Sequence, residues 1–169
     1  MSVRTKGWIL IAWALTLGLA AAGIAGKERL LARGDTVLLK LAPVDPRSLM
    51  QGDYMALNFE IGNQIRGTPM QDNRPPRDGV AVIRRDAQGV ASFVRVHHGE
   101  ALAAGEQLLR YQIARSRWGG TQVQVSTDAY FFQEGQGKRF AQAEYGEFRV
   151  GADGQALLVG LRGKGMERL

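Results

Sequence analysis

Cysteine is absent from the 169 residues, which excludes disulfides, thiolate metal sites and a cysteine nucleophile. Low-complexity tracts and repeats of solenoid period are missing as well. Histidine occurs only as the adjacent pair His97 and His98. Neighbours at a strand end point to opposite faces, so one metal ion does not take both. Asp45, Asp53 and Asp78 lack calcium-loop spacing, and neither GxxxxGK[ST] nor GxGxxG is present. No metal and no cofactor are therefore predicted. The five prolines, at 43, 46, 69, 75 and 76, fall in two short stretches, and each marks a break in regular structure.

Charge is moderate. Twenty-two basic against sixteen acidic side chains give +6, and Arg4 and Lys6 account for two of these, leaving +4 for the remainder. Both signs are interspersed there, and no dense Lys/Arg run occurs. The basic pI alone does not make a nucleic-acid footprint, so no nucleic-acid partner is expected. A mildly basic solvated surface is the reading, with attraction to anionic headgroups the lesser alternative.

What is present begins at the N-terminus. Trp8 through Ala25 contains no Asp, Glu, Lys or Arg and is almost wholly apolar. About 18 residues at about 1.5 Å each span about 27 Å, enough for a hydrocarbon core. Trp8 stands where an interfacial aromatic belongs. The cations before the stretch, set against the mixed Lys27, Glu28, Arg29, Arg33 and Asp35 after it, place the N-terminus in the cytoplasm. The expectation is an uncleaved anchor in the lipid of the bacterial inner membrane through residues 8–25. A signal peptide cleaved after Gly23-Ile24-Ala25 is the rival reading. Residues 1–26 then form the cytoplasmic terminus and anchor, and 27–169 a periplasmic domain.

That domain reads as strands. Asp35 to Ala42 alternates, with Val37, Leu39 and Leu41 on one face. In Tyr54 to Phe59, Met55, Leu57 and Phe59 alternate against Tyr54, Ala56 and Asn58. Gly62 to Gly79 reads mostly as loop, with a short helix near Ile61 to Arg66. Val80–Arg84 and Val90–Val96 flank the turn Asp86-Ala-Gln-Gly89 as a hairpin. Leu108–Ile113, Thr121–Val125 and Ala129–Gln133 follow, the last two joined near Ser126 to Asp128. Lys138 to Tyr145 has helical spacing, with Gly146 as its C′ residue. Glu147–Val150 and Ala156–Leu161 make a final hairpin around Gly151-Ala-Asp-Gly154. The fold class is an N-terminal transmembrane helix plus a mainly-β domain, barrel or sandwich, with one or two short helices.

Gly52-Asp53-Tyr54-Met55-Ala56-Leu57-Asn58-Phe59 resembles the motif of the bacterial GDYxxLxY family. Gly52, Asp53, Tyr54 and Leu57 match, and Phe59 replaces the final Tyr, keeping the ring without its hydroxyl. The blocks Leu41–Met50, Phe131–Gln136, Tyr145–Val150 and Ala156–Arg162 resemble the rest of the family pattern. The resemblance implies a membrane-anchored protein of unknown activity that works with a multi-pass inner-membrane protein. Its motif residues are Gly52, Asp53, Tyr54 and Leu57. It assigns no reaction and no small-molecule ligand.

Three candidate chemistries remain. Ser48-x-x-x-Gly52-x-Tyr54 is similar in spacing to the nucleophile region of signal-peptidase-like serine proteases. A serine needs a base, which in that class is a buried lysine. The strand equivalent to theirs carries Arg84, which cannot act as one. Lys40 is then the alternative base, and a turn serine bonding local backbone is the alternative role for Ser48. Gln133, Glu134, Gly135 and Gln136 form a polar loop suited either to hydrogen-bonding a partner or to capping the following helix. Arg84, Arg85 and Arg95 sit on one hairpin and form either a basic recognition face or a solvated one. An accessory or binding module is the leading functional expectation, and a membrane-bound serine peptidase the second.

Overall fold

In a computed structural model of the chain, the structure describes residues 3–42, 50–51, 54–68, 78–115 and 121–169. Two compact units divide between Gly34 and Asp35. The first is the helix α1 (Val3–Arg33). It runs unbroken from the apolar stretch through Gly26 and the charged residues that follow, and Gly34 ends it with its N–H donated to the Leu30 carbonyl. Trp8, Leu10, Trp13, Leu15, Leu19 and Ile24 all leave most of their surface uncovered. The one hydroxyl in the stretch, on Thr16, donates to the Ala12 carbonyl at 2.9 Å, so it needs no partner outside the helix. By length and composition α1 can cross a membrane.

The second unit is a mainly-β domain with a curled, half-barrel sheet and a few short helices. One sheet has the order β1 (Asp35–Lys40), β9 (Tyr145–Val150), β10 (Ala156–Arg162). Another has the order β5 (Ala91–Val96), β4 (Gly79–Arg85), β6 (Glu106–Arg115), β7 (Thr121–Gln124). A third, small sheet joins β2 (Met50–Gln51), β3 (Tyr54–Ala56) and β8 (Ala129–Phe131). Every named pair is antiparallel. Register slips pass over Val94 in β5 and Val159 in β10. Such bulges bend and twist a strand, which lets the sheets curl around one core.

Backbone hydrogen bonds tie the first two sheets together at both ends. Leu38 donates its N–H to the Gly89 carbonyl and bridges Val90 in parallel. At the other end, the β9–β10 turn sits on β6. The Arg110 N–H donates to the Gly154 carbonyl at 2.8 Å, and its guanidinium reaches Asp153. Inside lie Val37, Leu39, Ile83, Leu109, Val125, Phe148 and Leu161, all buried. The alternation read from Met55, Leu57 and Phe59 holds, because all three face this core.

Both short helices of the domain differ in interest. α2 (Glu60–Arg66) occupies the expected span and buries Ile61 and Ile65. α3 (Gly137–Phe140) is a single turn, so the expected helix from Lys138 to Tyr145 is corrected. Tyr145 and Gly146 belong to β9, which is paired on both sides, and two ladders outweigh a weak helical periodicity. Gly146 is therefore a strand glycine and not a helix terminator. A Cβ placed on it would stand 2.7 Å from Cε1 of Phe59 and 2.9 Å from Cε2 of Phe148, so the two rings occupy its side-chain space. Although β7 and β8 follow each other in the chain, they do not pair. β7 lies on β6 and β8 on β3.

Candidate functional site

The small sheet brings two distant blocks of sequence together. Tyr54 lies directly opposite Phe131, Met55 opposite Tyr130 and Ala56 opposite Ala129. The motif strand and the Phe131–Gln136 block are thus neighbours in space. Two aromatics in succession on an extended chain cannot both face inward. Phe132 turns in and stacks on Phe140 at 5.0 Å, and Tyr130 contacts the same ring at 5.2 Å. Phe131 turns out, 74 % exposed, with the Tyr54 ring beside it at 5.7 Å. No other large apolar side chain described in the β domain is as exposed.

The backbone alternation has a further result. Leu57 donates its N–H to the Asp128 carbonyl, so Asp128 and Tyr130 face β3, and Ala129 and Phe131 face away from it. The Thr127 hydroxyl serves both polar groups of Ala129, accepting from its N–H at 3.3 Å and donating to its carbonyl at 3.0 Å. The outer edge of β8 is closed at Ala129 by this side chain.

Beyond Phe132 the chain turns through Gln133, Glu134, Gly135 and Gln136. Gly135 has φ +84°, the left-handed region that glycine takes without strain. The Gln136 N–H closes the turn on the Gln133 carbonyl at 3.2 Å. Gln133 and Glu134 are exposed, and Glu134 does not cap α3. The residue before that helix is Gln136, which makes no side-chain capping bond. The arrangement is a projecting Phe131 against a half-buried Tyr54, beside an exposed amide and carboxylate.

The remaining candidates separate. Leu57 is buried and serves the core. Ser48, Gly52 and Asp53 lie outside the described residues. Lys40, 53 % exposed, places its Nζ 3.4 Å from Glu60 Oε2, so it has a carboxylate partner and lacks the apolar enclosure a lysine base requires. Phe131 opens the family block Phe131–Gln136, but nothing in charge or motif marks it apart from Phe132. The doubled aromatic on an alternating strand was the signal available for it.

Arg84, Arg85 and Arg95 do not make a basic face, because carboxylates neutralise them. Arg95 reaches Glu106 Oε1 at 2.8 Å and Glu100 Oε1 at 2.9 Å, Arg84 reaches Glu106 at 3.4 Å, and Arg85 lies 3.7 Å from Asp35. Glu106 is almost enclosed and also accepts the Ala103 N–H. The hydrogen bond from Arg95, then that from Ala103, holds its carboxyl below the usual range. Glu100 accepts its own N–H and that of His98, with Arg95 third, and these hold it at about 2. His97 is partly buried and His98 exposed, as alternation requires. This network fastens the β5–β6 loop, whose approach glycines Gly99 and Gly105 both have positive φ.

Neither a curated protein nor a solved structure matches the chain. The family described as GDYXXLXY protein matches over residues 16–161, from the middle of α1 to the end of β10. The match takes in the motif strand, the aromatic block opposite it and most of the curled sheet. On that coverage, the chain belongs to the GDYXXLXY protein family.

Proposed function

We propose that this protein is a single-pass inner-membrane protein whose periplasmic β domain is an accessory or binding module for a multi-pass membrane protein. The apolar helix α1 supports the anchorage, and the cations Arg4 and Lys6 before it support a cytoplasmic N-terminus. One observation carries the binding role. Phe131 stands exposed against Tyr54 at the point where the motif strand meets the second family block. An exposed aromatic costs little to order and gains much when covered, so it suits the centre of a docking surface. Gln133 and Glu134 supply polar groups for the rim.

Co-purification in mild detergent tests this reading. The wild-type chain is expected to leave native membranes with a multi-pass protein, and the Phe131→Ala variant without it. Emergence of the wild type alone, at its monomer mass, contradicts the proposal. A topology reporter fused after Leu169 is expected to register the periplasm. A cytoplasmic signal would reverse the orientation. Ser48→Ala is expected to leave proteolytic processing unchanged. A loss of processing would favour the peptidase alternative instead.

A further inference from the structure

The β5–β6 connection carries a run without a polar side chain, Ala101-Leu102-Ala103-Ala104-Gly105, and every residue of it is exposed. An exposed apolar run of this length does nothing for a free domain and marks a function. The run is also held still. One guanidinium, that of Arg95, grips both of its ends, Glu100 at 2.9 Å and Glu106 at 2.8 Å. Within that clamp Ala103 donates its N–H to Glu106 Oε2 and accepts from the Glu106 N–H, both at 3.0 Å. A loop fixed in this way loses little conformational freedom when something covers it.

The Glu106 end of the loop lies where the domain begins. Glu106 stands opposite Arg84, and the residues that follow each of them, Gln107 and Arg85, both reach Asp35, at 3.2 and 3.7 Å. The turn that Ala103 and Glu106 close keeps Leu102 within about 11 Å of Glu106. Whatever angle the domain takes to α1, the path from Ala25, the last apolar residue of the stretch, to Asp35 extends no more than about 17 Å. A headgroup layer of about 5–7 Å takes up the first part of that path, so Asp35 stands at most about 12 Å beyond it. The reach of the loop is of the same size.

We propose that the Ala101–Gly105 loop, led by Leu102, rests in the boundary between headgroups and acyl chains of the leaflet bordering the domain, a second hold on the membrane beside α1. The tether argues for lipid as the occupant, because it keeps this end of the domain and the leaflet at high effective concentration. The loop has apolar surface to offer and no charge of its own to desolvate. The charges at its two ends are already paired, Glu100 with Arg95 and Glu106 with Arg95 and Arg84, so contact with the leaflet strands none of them. The inference rests on α1 spanning the membrane and is independent of the Phe131 surface.

The absence of cysteine makes the test clean, since one introduced cysteine carries the only nitroxide label. The full chain in phospholipid nanodiscs is labelled at Leu102→Cys and, separately, at Leu15→Cys within α1 and at Gln64→Cys on α2. Gln64 is exposed, and α2 meets the far end of β1 through the Lys40–Glu60 pair. Collision of each label with oxygen, which concentrates in acyl chains, and with a water-soluble nickel chelate is read by power saturation. Position 102 is expected to gain oxygen collisions and lose nickel collisions relative to position 64. A label at Ala104→Cys is expected to show the same pattern and to lose it when Leu102→Asp is added. A label at 102 as open to nickel as that at 64, with position 15 shielded, overturns this inference and leaves the span standing. Nickel access at position 15 overturns the span, and this inference with it. Shielding of 104 that survives Leu102→Asp overturns the inference, as does spin–spin broadening at 102, which would mark a contact between two copies of the chain.

Discussion

The ring of Tyr54 lies 5.7 Å from that of Phe131 across the β3–β8 ladder, and one of the two is mostly solvent-exposed. That pairing separates stability from the proposed binding role. Phe131 has little to lose on truncation, since it is scarcely covered in the free domain. Phe131→Ala is therefore expected to change stability by less than about 0.5 kcal/mol while lowering partner recovery by about tenfold or more. Thermal melts and quantitative co-purification read the two effects separately.

Gly146 gives the opposite case, a residue with a structural role and no contact with the proposed surface. Gly146→Ala must displace the Phe59 or Phe148 ring, which pack edge to face at 5.2 Å. Overpacking of this kind costs about 1–3 kcal/mol. A lowered melting temperature is expected, with partial recovery when Phe59→Leu is added. No change on Gly146→Ala would mean that the rings move freely.

Arg162 and Glu147 form a largely buried pair, Nε to Oε2 at 2.9 Å, and the Arg162 guanidinium also donates to the Met166 carbonyl at 2.7 Å. Removing the cation strands a carboxylate with little water around it. Arg162→Met is expected to destabilise the domain by about 3 kcal/mol, measured by urea unfolding. The double variant Arg162→Met with Glu147→Leu is expected to recover most of that loss.

Acid stability follows from Glu100 and Glu106. Hydrogen bonds to the charged form depress both carboxyls from 4.5, Glu100 to about 2. A depressed carboxyl contributes stability that is complete above its unfolded value and lost as pH falls through its folded one. Melting temperature is thus expected to fall between about pH 4.5 and pH 2. Glu100→Gln should flatten that slope while lowering the plateau near neutrality. An unchanged slope would remove Glu100 from the account.

The sequence exposed much of this architecture, for identifiable reasons. Alternation marked Val37 and Leu39, and also Met55, Leu57 and Phe59, because one face of each strand meets the core. Asp86 marked its hairpin because its carboxylate accepts the Gln88 and Val90 N–H groups at 2.9 Å. The misread stretch from Lys138 to Tyr145 carried helical spacing locally, while its fate was decided by β1 and β10, far off in the chain. The neutralised arginines were equally illegible, since Glu106 on β6 approaches Arg84 and Arg95 only after β4, β5 and β6 have assembled. Tyr54 was legible as a motif residue. Phe131 was legible as the start of a family block, but its pairing with Tyr54 was not, because register between distant strands leaves no local trace.

Site-specific photo-crosslinking in intact membranes tests the central claim most directly. A photoreactive residue at Phe131, with Val94 on the second sheet as the control position, is activated in cells carrying the full chain. The account predicts one dominant adduct with a multi-pass membrane protein from position 131 and none from position 94. Adducts that are absent, or that match between the two positions, would contradict it.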